Sequence, residues 1–396
     1  MTGHSRRIVP GLSALLAALL AYLVFLALGR SLPGPDLMDF GSFVASGRAA
    51  AEGQNPYGVY PLTFHVVLPN FESWNPNLNP PISVPVFAWI GQFDPHEGFR
   101  SMWAFSFVGY AVAVALLARR YTPDRWVLPV AWAFALAGFW DTLVLGQIYV
   151  PLVLATVCAW LALDRDRPVA AGVLIGIVVA VKPNFLVWPG LLFLAGHRIP
   201  ALVSVATAAV LSAIPVAIYG PGIYGQWIEL LASDRERAVF LTNASLSALA
   251  LRAGSGTAGL ALSVLVLGGM ALWSWRARPA AMAASVYGLI GALLASPIAW
   301  VQYTMFLLPV FFARPLTWPM LVSAGLLVVP VPTILGYLDA PLWMRLTVGS
   351  CYGWAVVLCL VGTLAGYAGR GAGAPGGPFR ARRPAINVKA GGVKAG

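Results

Sequence analysis

Long apolar stretches and short polar connectors alternate along almost the whole chain. We predict twelve membrane spans, at residues 8–29, 100–118, 126–140, 147–163, 168–181, 184–196, 200–219, 257–275, 280–295, 300–313, 316–335 and 345–367. Several are shorter than the roughly 20 residues that cross a bilayer, so these must tilt or lie inside a bundle. The pattern predicts an all-α polytopic membrane protein of about 12 transmembrane helices.

Composition supports this fold class. Hydrophobic residues make up 59% of the 396 positions and charged residues 10%, which excludes a soluble globular protein. The net charge of +11 is not arranged as a basic helix face or an aromatic-lined groove, so we predict no nucleic-acid partner. Residues 1–367 are predicted to form one transmembrane domain, and residues 368–396, rich in Gly, Ala, Pro and Arg, a flexible basic cytoplasmic tail.

The charges of the connectors predict the orientation. With the N-terminus inside, the inner segments hold 17 of the 25 basic residues but only three of the 14 acidic ones. This is the positive-inside bias of multi-pass proteins. We predict plasma-membrane localisation, both termini cytoplasmic, and a first span that is retained and not cleaved as a signal peptide. The unusual polar residues then share the outer face: Asp39, Asn79, Gln147, Lys182, Asn243, Ser296 and Pro297.

The predicted outer loop over residues 30–79 is the longest connector and contains several candidate functional residues. Apolar residues at helical spacing follow Asp39 and predict a short interfacial helix on the membrane surface. Asp39 fits two roles, an N-cap that accepts backbone N–H bonds and a general base. Five aromatic residues follow, which either anchor the loop in lipid headgroups or wall a sugar site: Tyr57, Tyr60, Phe64, Phe71 and Trp74. The apolar stretch that ends near Phe93 is predicted to be re-entrant or interfacial.

Lys182 follows an apolar run and precedes a proline. It either snorkels to the headgroups or holds a phosphate near the membrane plane. If the outer-face residues transfer a sugar, the donor would have to be a sugar linked to a lipid phosphate, because nucleotide sugars are absent from the outer leaflet. Its transfer needs a base, for which we predict Asp39, and groups that hold phosphate or sugar hydroxyls, for which we predict Lys182, Gln147 and Asn243. A single displacement predicts inversion at the anomeric carbon.

No cofactor or metal is predicted. The four histidines are scattered and lack metal-ligand spacing. Asp164 and Asp166 have the Asp-x-Asp spacing of metal-dependent nucleotide-sugar transferases, but we predict a solvated inner loop there.

Six short motifs occur in a recognisable order. Asp39-Phe40 precedes residues 46–57 of the first outer loop; then come Pro80-Pro81, Gly146-Gln147, Lys182, an Asn-x-Ser at Asn243 and Ser245, and Ser-Pro-Ile-Ala-Trp at residues 296–300. This order resembles glycosyltransferase family 87, which includes polyprenol-phosphate-mannose-dependent α-mannosyltransferases of the GT-C architecture. The resemblance covers roughly residues 30–310. It implies a GT-C-like bundle with a long outer first loop, and the catalytic base at Asp39, not Asp36.

The resemblance also implies site residues and partners. Donor contacts map to Lys182, Gln147, Asn243, Ser245, Trp300, Gln302 and Tyr303, and acceptor or wall positions to Arg48, Tyr57, Asn79 and Tyr149. The partners would be a polyprenyl-phosphate-sugar donor, a glycolipid or glycan acceptor and membrane lipids. The chain departs from close mannosyltransferases at Tyr149 (Asn in those enzymes), Ala244 (Gln) and the pair Gln302-Tyr303 (His-His). The sugar is therefore left as mannose or another hexose or pentose.

Two other functions fit the pattern. Twelve spans suit a transporter or flippase, with Lys182-Pro183 as a broken helix near a midplane site. The missing His pair suits a non-catalytic, lipid-binding assembly factor that keeps the fold. Against a transporter, the spans carry few ionisable residues and show no internal repeat.

Overall fold

The structure is a computed structural model that describes residues 5–68, 71–233 and 236–368. The predicted tail, except for its first residue, lies outside the described residues. The α-helices are α1 Ser5–Ser31, α2 Met38–Ala51, α3 Ser83–Ile90, α4 Pro95–Tyr121, α5 Val127–Ala135, α6 Ala137–Leu145, α7 Tyr149–Asp164, α8 Pro168–Val181, α9 Val187–Leu194, α10 Arg198–Tyr219, α11 Gly222–Ser233, α12 Leu246–Arg252, α13 Gly256–Ala277, α14 Ala281–Leu294, α15 Leu308–Ala313, α16 Trp318–Leu326, α17 Val331–Leu335, α18 Leu342–Leu346 and α19 Cys351–Ala368. The strands are β1 Phe64–Leu68 and β2 Phe71–Asn75, and 3₁₀ helices span Pro183–Leu186, Glu236–Val239, Val301–Leu307 and Val348–Ser350.

The predicted helical membrane architecture is confirmed, but the count of twelve spans is not. Within the described ranges, five helical segments are long and apolar enough to cross a bilayer, and a bent pair of helices makes a sixth. The five lie at Ser13–Ser31, Pro95–Tyr121, Arg198–Tyr219, Gly256–Ala277 and Leu342–Gly366. Helices α7, α8 and α14 coincide with predicted spans but have 14 to 16 residues. At 1.5 Å per residue, each is about 21–24 Å long, shorter than the hydrocarbon core of a bilayer.

Other predicted spans are interrupted. The span predicted at 126–140 is the bent pair α5 and α6, which meet at 44°. Leu136 between them has non-helical torsions, and the N–H of Ala137 donates to the carbonyl of Leu327 at 3.0 Å. The predicted spans at 184–196 and 300–313 both begin as 3₁₀ helices, and the one at 316–335 is split ahead of Pro330. Proline and tertiary hydrogen bonds break helices that hydropathy alone joins.

Helix α2 lies where the sequence predicts a helix, but not on a surface. Every residue from Asp39 to Gly47 is buried. Gly47 allows the close approach of α3, because a Cβ at this position would lie 2.2 Å from the carbonyl carbon of Phe87. Helices α3 and α4 and strand β1 cover α2, so its apolar side chains pack against protein, and its place at the membrane interface stays a prediction.

Residues 30–79, the predicted first outer loop, also contain a β-hairpin that an all-α fold did not predict. Strands β1 and β2 pair antiparallel, with Phe64 opposite Asn75 and Leu68 opposite Phe71. The main core lies elsewhere, among α4, α6, α7, α9, α14 and the 3₁₀ helix Val301–Leu307, and contains large buried aromatic side chains: Tyr110, Phe139, Trp160, Trp188 and Phe306. In contrast, α1, α10 and α13 expose many apolar side chains, as lipid-facing helices do.

Candidate active site

A cavity of about 760 Å³ lies between the hairpin and the helix ends. Its wall combines segments that are far apart in the chain: the end of α1, Asp39, the hairpin, α6, residues 181–184, residues 296–303 and residues 328–335. Most of its lining is apolar. A few polar and charged side chains converge on it, which is the usual character of a binding site for a small molecule.

Asp39 carries the most distinctive environment in this cavity. Its side chain is 5% exposed, Oδ2 accepts a hydrogen bond of 2.5 Å from the Gln147 side-chain amide, and Oδ1 accepts one from Asn75. Burial raises the pKa of the Asp39 carboxyl to about 6, although these two hydrogen bonds act in the opposite direction. The N-cap interpretation is wrong, because Asp39 lies within the first turn of α2 and its oxygens bind side chains. A fixed carboxylate with this pKa is suited to take a proton near neutral pH.

Asn75, the last residue of β2, supplies one of the two hydrogen bonds to Asp39, and Arg237 holds this end of the hairpin in place. Arg237 Nη1 donates to the Asn75 side-chain oxygen, and Nη2 donates to the Trp74 carbonyl at 2.5 Å. Asn75 thus accepts from the guanidinium and donates to Asp39. Sequence analysis missed both Asn75 and Arg237. Each lies in a polar loop where nothing local distinguishes it, and only the hairpin register brings Asn75 to the cavity.

Lys182 lies in the same cavity between α8 and the 3₁₀ helix Pro183–Leu186. Its Nζ donates to Asn79 Oδ1 at 2.8 Å and to the Tyr149 hydroxyl at 3.3 Å. The ammonium also lies 4.5 Å from the centroid of the Tyr149 ring and 5.5 Å from that of Tyr303. Burial lowers the pKa of Lys182 to about 7, although the Asp39 charge favours the protonated form. Lys182 is 7% exposed and held by side chains, so it does not snorkel. It is available to bind an anion.

Gln147 and the predicted wall residues have more specific places than the sequence indicated. Gln147 was predicted to contact the donor, but its amide nitrogen is directed at Asp39. Tyr149 and Asn79 line the cavity and hold Lys182. Tyr57 lies behind them, where its hydroxyl donates to the Asn79 carbonyl at 3.3 Å. Arg48 is not among the cavity residues: its Nε donates to the Gly91 carbonyl at 2.9 Å and fastens α2 to the end of α3.

Asn243 and Ser245, predicted to contact the donor, do not line the cavity. The Asn243 amide donates to the carbonyls of Ala238 and Pro297 and accepts from the backbone N–H groups of Ser245 and Ala299. Ser245 caps α12 by accepting from the N–H of Ala248. These bonds satisfy both amide atoms of Asn243 with backbone partners. They fasten residues 296–300, whose Trp300 does line the cavity.

Gln302 and Tyr303 both line the cavity, as does a carboxylate that sequence analysis missed. Gln302 Nε2 donates to Asp141 Oδ2 at 2.6 Å, and the Tyr303 ring packs 4.9 Å from that of Tyr149. Asp141 lies in α6, directly after the end of the span predicted at residues 126–140 and among mostly apolar neighbours. An ionisable side chain in an apolar helix is a signal of function, and it would have identified Asp141.

The remaining candidate carboxylates lie away from the cavity. Asp36 is exposed. Asp164 is not in a solvated loop as predicted: its side chain is 6% exposed and accepts a hydrogen bond of 2.7 Å from Arg120. Among the described residues, no group of three or more His, Cys, Asp or Glu side chains is placed to hold a metal ion.

The arrangement joins a buried carboxylate and a buried ammonium group in one cavity with aromatic side chains in its wall. A sequence model for glycosyltransferase family 87 matches residues 77–297, more than half of the chain. The matched region includes Asn79, Asp141, Gln147 and Lys182. No curated protein and no solved structure matches the chain.

Proposed function

The chain belongs to glycosyltransferase family 87, and from that premise we propose that it transfers a sugar from a polyprenyl-phosphate donor to a hydroxyl group of a glycolipid or glycan on the outer face of the plasma membrane. One observation carries the proposal. Asp39, with a pKa raised by burial, shares a cavity with the ammonium of Lys182, and each is held in place by side chains. A base and an anion-binding cation are the two groups that this transfer requires.

The reaction is a single displacement. Asp39 takes the proton of the acceptor hydroxyl while the acceptor oxygen bonds to the anomeric carbon of the sugar. The bond between that carbon and the phosphate oxygen breaks, and its electron pair leaves with the polyprenyl phosphate. Because the entering and leaving oxygens lie on opposite faces of the anomeric carbon, the configuration inverts, and a β-linked donor gives an α-linked product.

Lys182 is the group proposed to stabilise the leaving phosphate. The departing polyprenyl phosphate gains negative charge, and a cation already held in a site of low dielectric stabilises it without reorganisation. Lys182 makes two side-chain hydrogen bonds in the structure, while an ammonium has three donors. The third is available to a phosphate oxygen. Gln147 and Asn75 are proposed to keep the Asp39 carboxylate oriented towards the acceptor hydroxyl.

The proposal of an outer-face site rests on the distribution of basic residues along the chain. The proposal of a lipid-linked donor rests on the apolar lining of the cavity. Seventeen of the 25 basic residues fall in the predicted inner segments, while Asp39 falls in the predicted outer loop over residues 30–79 and Gln147 and Lys182 fall at predicted outer span ends. The cavity is lined largely by apolar side chains, including Leu23, Leu26 and Leu335, which suit an isoprenoid chain. No metal is required by the proposed step, and we expect transfer to persist in EDTA. Activity abolished by EDTA and restored by a divalent ion would contradict this mechanism.

The test is transfer by the purified full-length protein in liposomes. Donors would be synthetic polyprenyl-phosphate β-linked D-mannose, D-glucose and D-arabinofuranose, and acceptors the octyl glycosides of the same sugars. Mass spectrometry would detect the new glycoside and the released polyprenyl phosphate, and NMR its anomeric configuration. We expect an α-linked product, and a loss on the order of 10² or more with Asp39→Asn.

Asp36→Asn is the matched control, because Asp36 is exposed while Asp39 is buried. Normal transfer by Asp39→Asn, or loss with Asp36→Asn alone, would overturn the assignment of the base. Movement of the intact donor lipid between leaflets, with no glycosidic product, would identify a flippase. Binding of the donor with neither outcome would identify the non-catalytic assembly factor.

A further inference from the structure

The pair formed by Asp141 and Gln302 takes no part in the displacement described above, yet it lies in the same cavity. We propose that this pair is the sugar-recognition subsite, in which the Asp141 carboxylate accepts hydrogen bonds from two neighbouring hydroxyl groups of the transferred sugar and Gln302 positions that carboxylate. The inference rests on the proposed function, since it assumes a sugar in the cavity. It assigns a role to Asp141, which neither the displacement nor the anchoring of the hairpin uses.

Asp141 has acceptor capacity that the protein does not fill. An ionised carboxylate offers about four lone-pair sites on two oxygens. In the described part of the chain, the single hydrogen bond to Asp141 comes from Gln302 Nε2, at 2.6 Å on Oδ2. Asp141 is half-buried in α6, where Trp140 precedes it, Thr142 follows it, and the other nearby positions are mostly apolar. A carboxylate in such a helix is costly unless donors reach it, and the side of Asp141 that is not covered by protein faces the cavity.

Gln302 provides the second, independent observation. Its side chain is 3% exposed, and its Oε1 has no hydrogen-bond partner among the described residues. The amide is oriented by the bond to Asp141, because the opposite orientation would set Oε1 against a carboxylate oxygen. Gln302 Oε1 is therefore a buried acceptor without a partner among the described residues, adjacent to an under-filled carboxylate that lines the cavity. A buried acceptor without a donor is unfavourable, so the pair calls for a ligand with O–H groups.

The ligand chemistry follows from this count. The unfilled sites are all acceptors, which excludes a second phosphate or carboxylate at this position and favours a donor of hydrogen bonds. Two adjacent sugar hydroxyls can donate to the two oxygens of one carboxylate. Lys182 remains the phosphate group's partner, and its Tyr303 contact follows Gln302 directly in the 3₁₀ helix Val301–Leu307. One short helix thus connects the phosphate-binding and the sugar-binding parts of the cavity.

The experiment measures equilibrium binding to full-length protein in nanodiscs. The probes are sugar-free polyprenyl phosphate, the tightest of its D-mannosyl, D-glucosyl and D-arabinofuranosyl conjugates, and the monodeoxy derivatives of that conjugate. For the wild type we expect loss of affinity of roughly 10–100-fold at two adjacent deoxy positions, the effect of losing a hydrogen bond to a charged group. With Asp141→Asn, we expect those losses to shrink to within about threefold.

Gln302→Met should reduce the affinity losses at the same two deoxy positions, because it removes the hydrogen bond that orients Asp141. The exchange keeps the side-chain volume nearly constant. Neither variant should weaken the binding of sugar-free polyprenyl phosphate, because Gln302→Met changes no charge and Asp141→Asn removes a negative charge from the cavity. Thr304→Val is the matched control: it removes a buried hydroxyl, bonded to the Val301 carbonyl at 2.6 Å, from the same 3₁₀ helix without touching the cavity. It should leave the deoxy profile intact, which separates a loss of recognition from a general disturbance of the helix.

The outcomes distinguish the two proposals. If no conjugate binds more tightly than sugar-free polyprenyl phosphate, the donor class is wrong and the proposed function fails with it. If a conjugate does bind more tightly, but Asp141→Asn keeps the wild-type deoxy profile, the subsite is overturned while the proposed function stands. The subsite would be supported if the affinity losses at two adjacent deoxy positions disappear in Asp141→Asn and persist in Thr304→Val.

Discussion

Gln147 donates a hydrogen bond of 2.5 Å to Oδ2 of Asp39, across 108 positions of the chain. The contact depends on how α6 ends. Gly146 has a φ of 67°, in the left-handed region, and a Cβ there would lie 2.6 Å from that of Phe40. Glycine at this position lets the end of α6 reach α2. The amide that follows Gly146 is thereby brought to the carboxylate that precedes Phe40.

We predict that Gln147→Leu moves the acid limb of the kcat/KM profile to higher pH. A hydrogen bond to the carboxylate lowers its pKa, so removal of the donor raises the pKa above about 6. The base works only when deprotonated, so the acid limb should move about one unit to higher pH. A shift of one pKa unit corresponds to about 1.4 kcal/mol of lost interaction with the carboxylate. The same exchange at the exposed Gln92 should leave the profile unchanged. An acid limb that stays in place, or moves to lower pH, would show that Gln147 does not tune this carboxyl.

The free protein should have a narrow pH optimum. Asp39 must lose its proton, which occurs as pH rises through about 6, and Lys182 must keep its proton, which is lost as pH rises through about 7. We expect a bell-shaped kcat/KM profile with its maximum between these values. A bound phosphate favours the protonated ammonium, so the alkaline limb of kcat should lie at higher pH than that of kcat/KM. Initial rates over a pH series at low and saturating donor would check this, and coincident alkaline limbs would argue against contact between Lys182 and the phosphate.

Much of this architecture is readable from local sequence. Hydropathy located most of the apolar helices, and helical spacing gave α2. The motif order, together with sidedness, indicated that Asp39, Asn79, Gln147 and Lys182 belong near one another, and all four line the cavity. Periodicity and charge bias are determined by nearby residues, whereas the motif order is informative through the resemblance to glycosyltransferase family 87.

Other features depend on contacts between distant segments. The break at Leu136 is completed by the Leu327 carbonyl, and the place of Asn75 depends on the hairpin register. Whether Asn243 faces a cavity or a turn depends on Pro297 and Ala299, which are more than 50 positions away. A sequence motif identifies such an asparagine but does not say which partner its amide takes.

Lys182→Met should weaken the binding of polyprenyl phosphate by about 1.5–3 kcal/mol, the range for a hydrogen bond to a charged group. Lys182→Arg should weaken it less, because the charge remains while the planar guanidinium fits the compact ammonium site poorly. The melting temperature should change little with Met, because the removal of a buried charge offsets the loss of the hydrogen bonds to Asn79 and Tyr149. Arg100→Met, at an exposed cation of α4, is the matched control and should leave binding unchanged. Equal affinities for the wild type and Lys182→Met would exclude Lys182 as the phosphate contact.

Asn243 offers the sharpest contrast with Lys182, because the resemblance implies a donor contact there and the structure favours a role in stability. Asn243→Ala removes two donated and two accepted hydrogen bonds inside the protein. The backbone groups of Pro297 and Ala299 would lose these partners, and the free energy of unfolding should fall by about 2–4 kcal/mol. Asn243→Asp keeps both accepted bonds and should be intermediate. Unfolding in mixed micelles would measure the loss, and the remaining folded protein should bind polyprenyl phosphate normally. Unchanged stability with weakened donor binding would instead return Asn243 to the donor site.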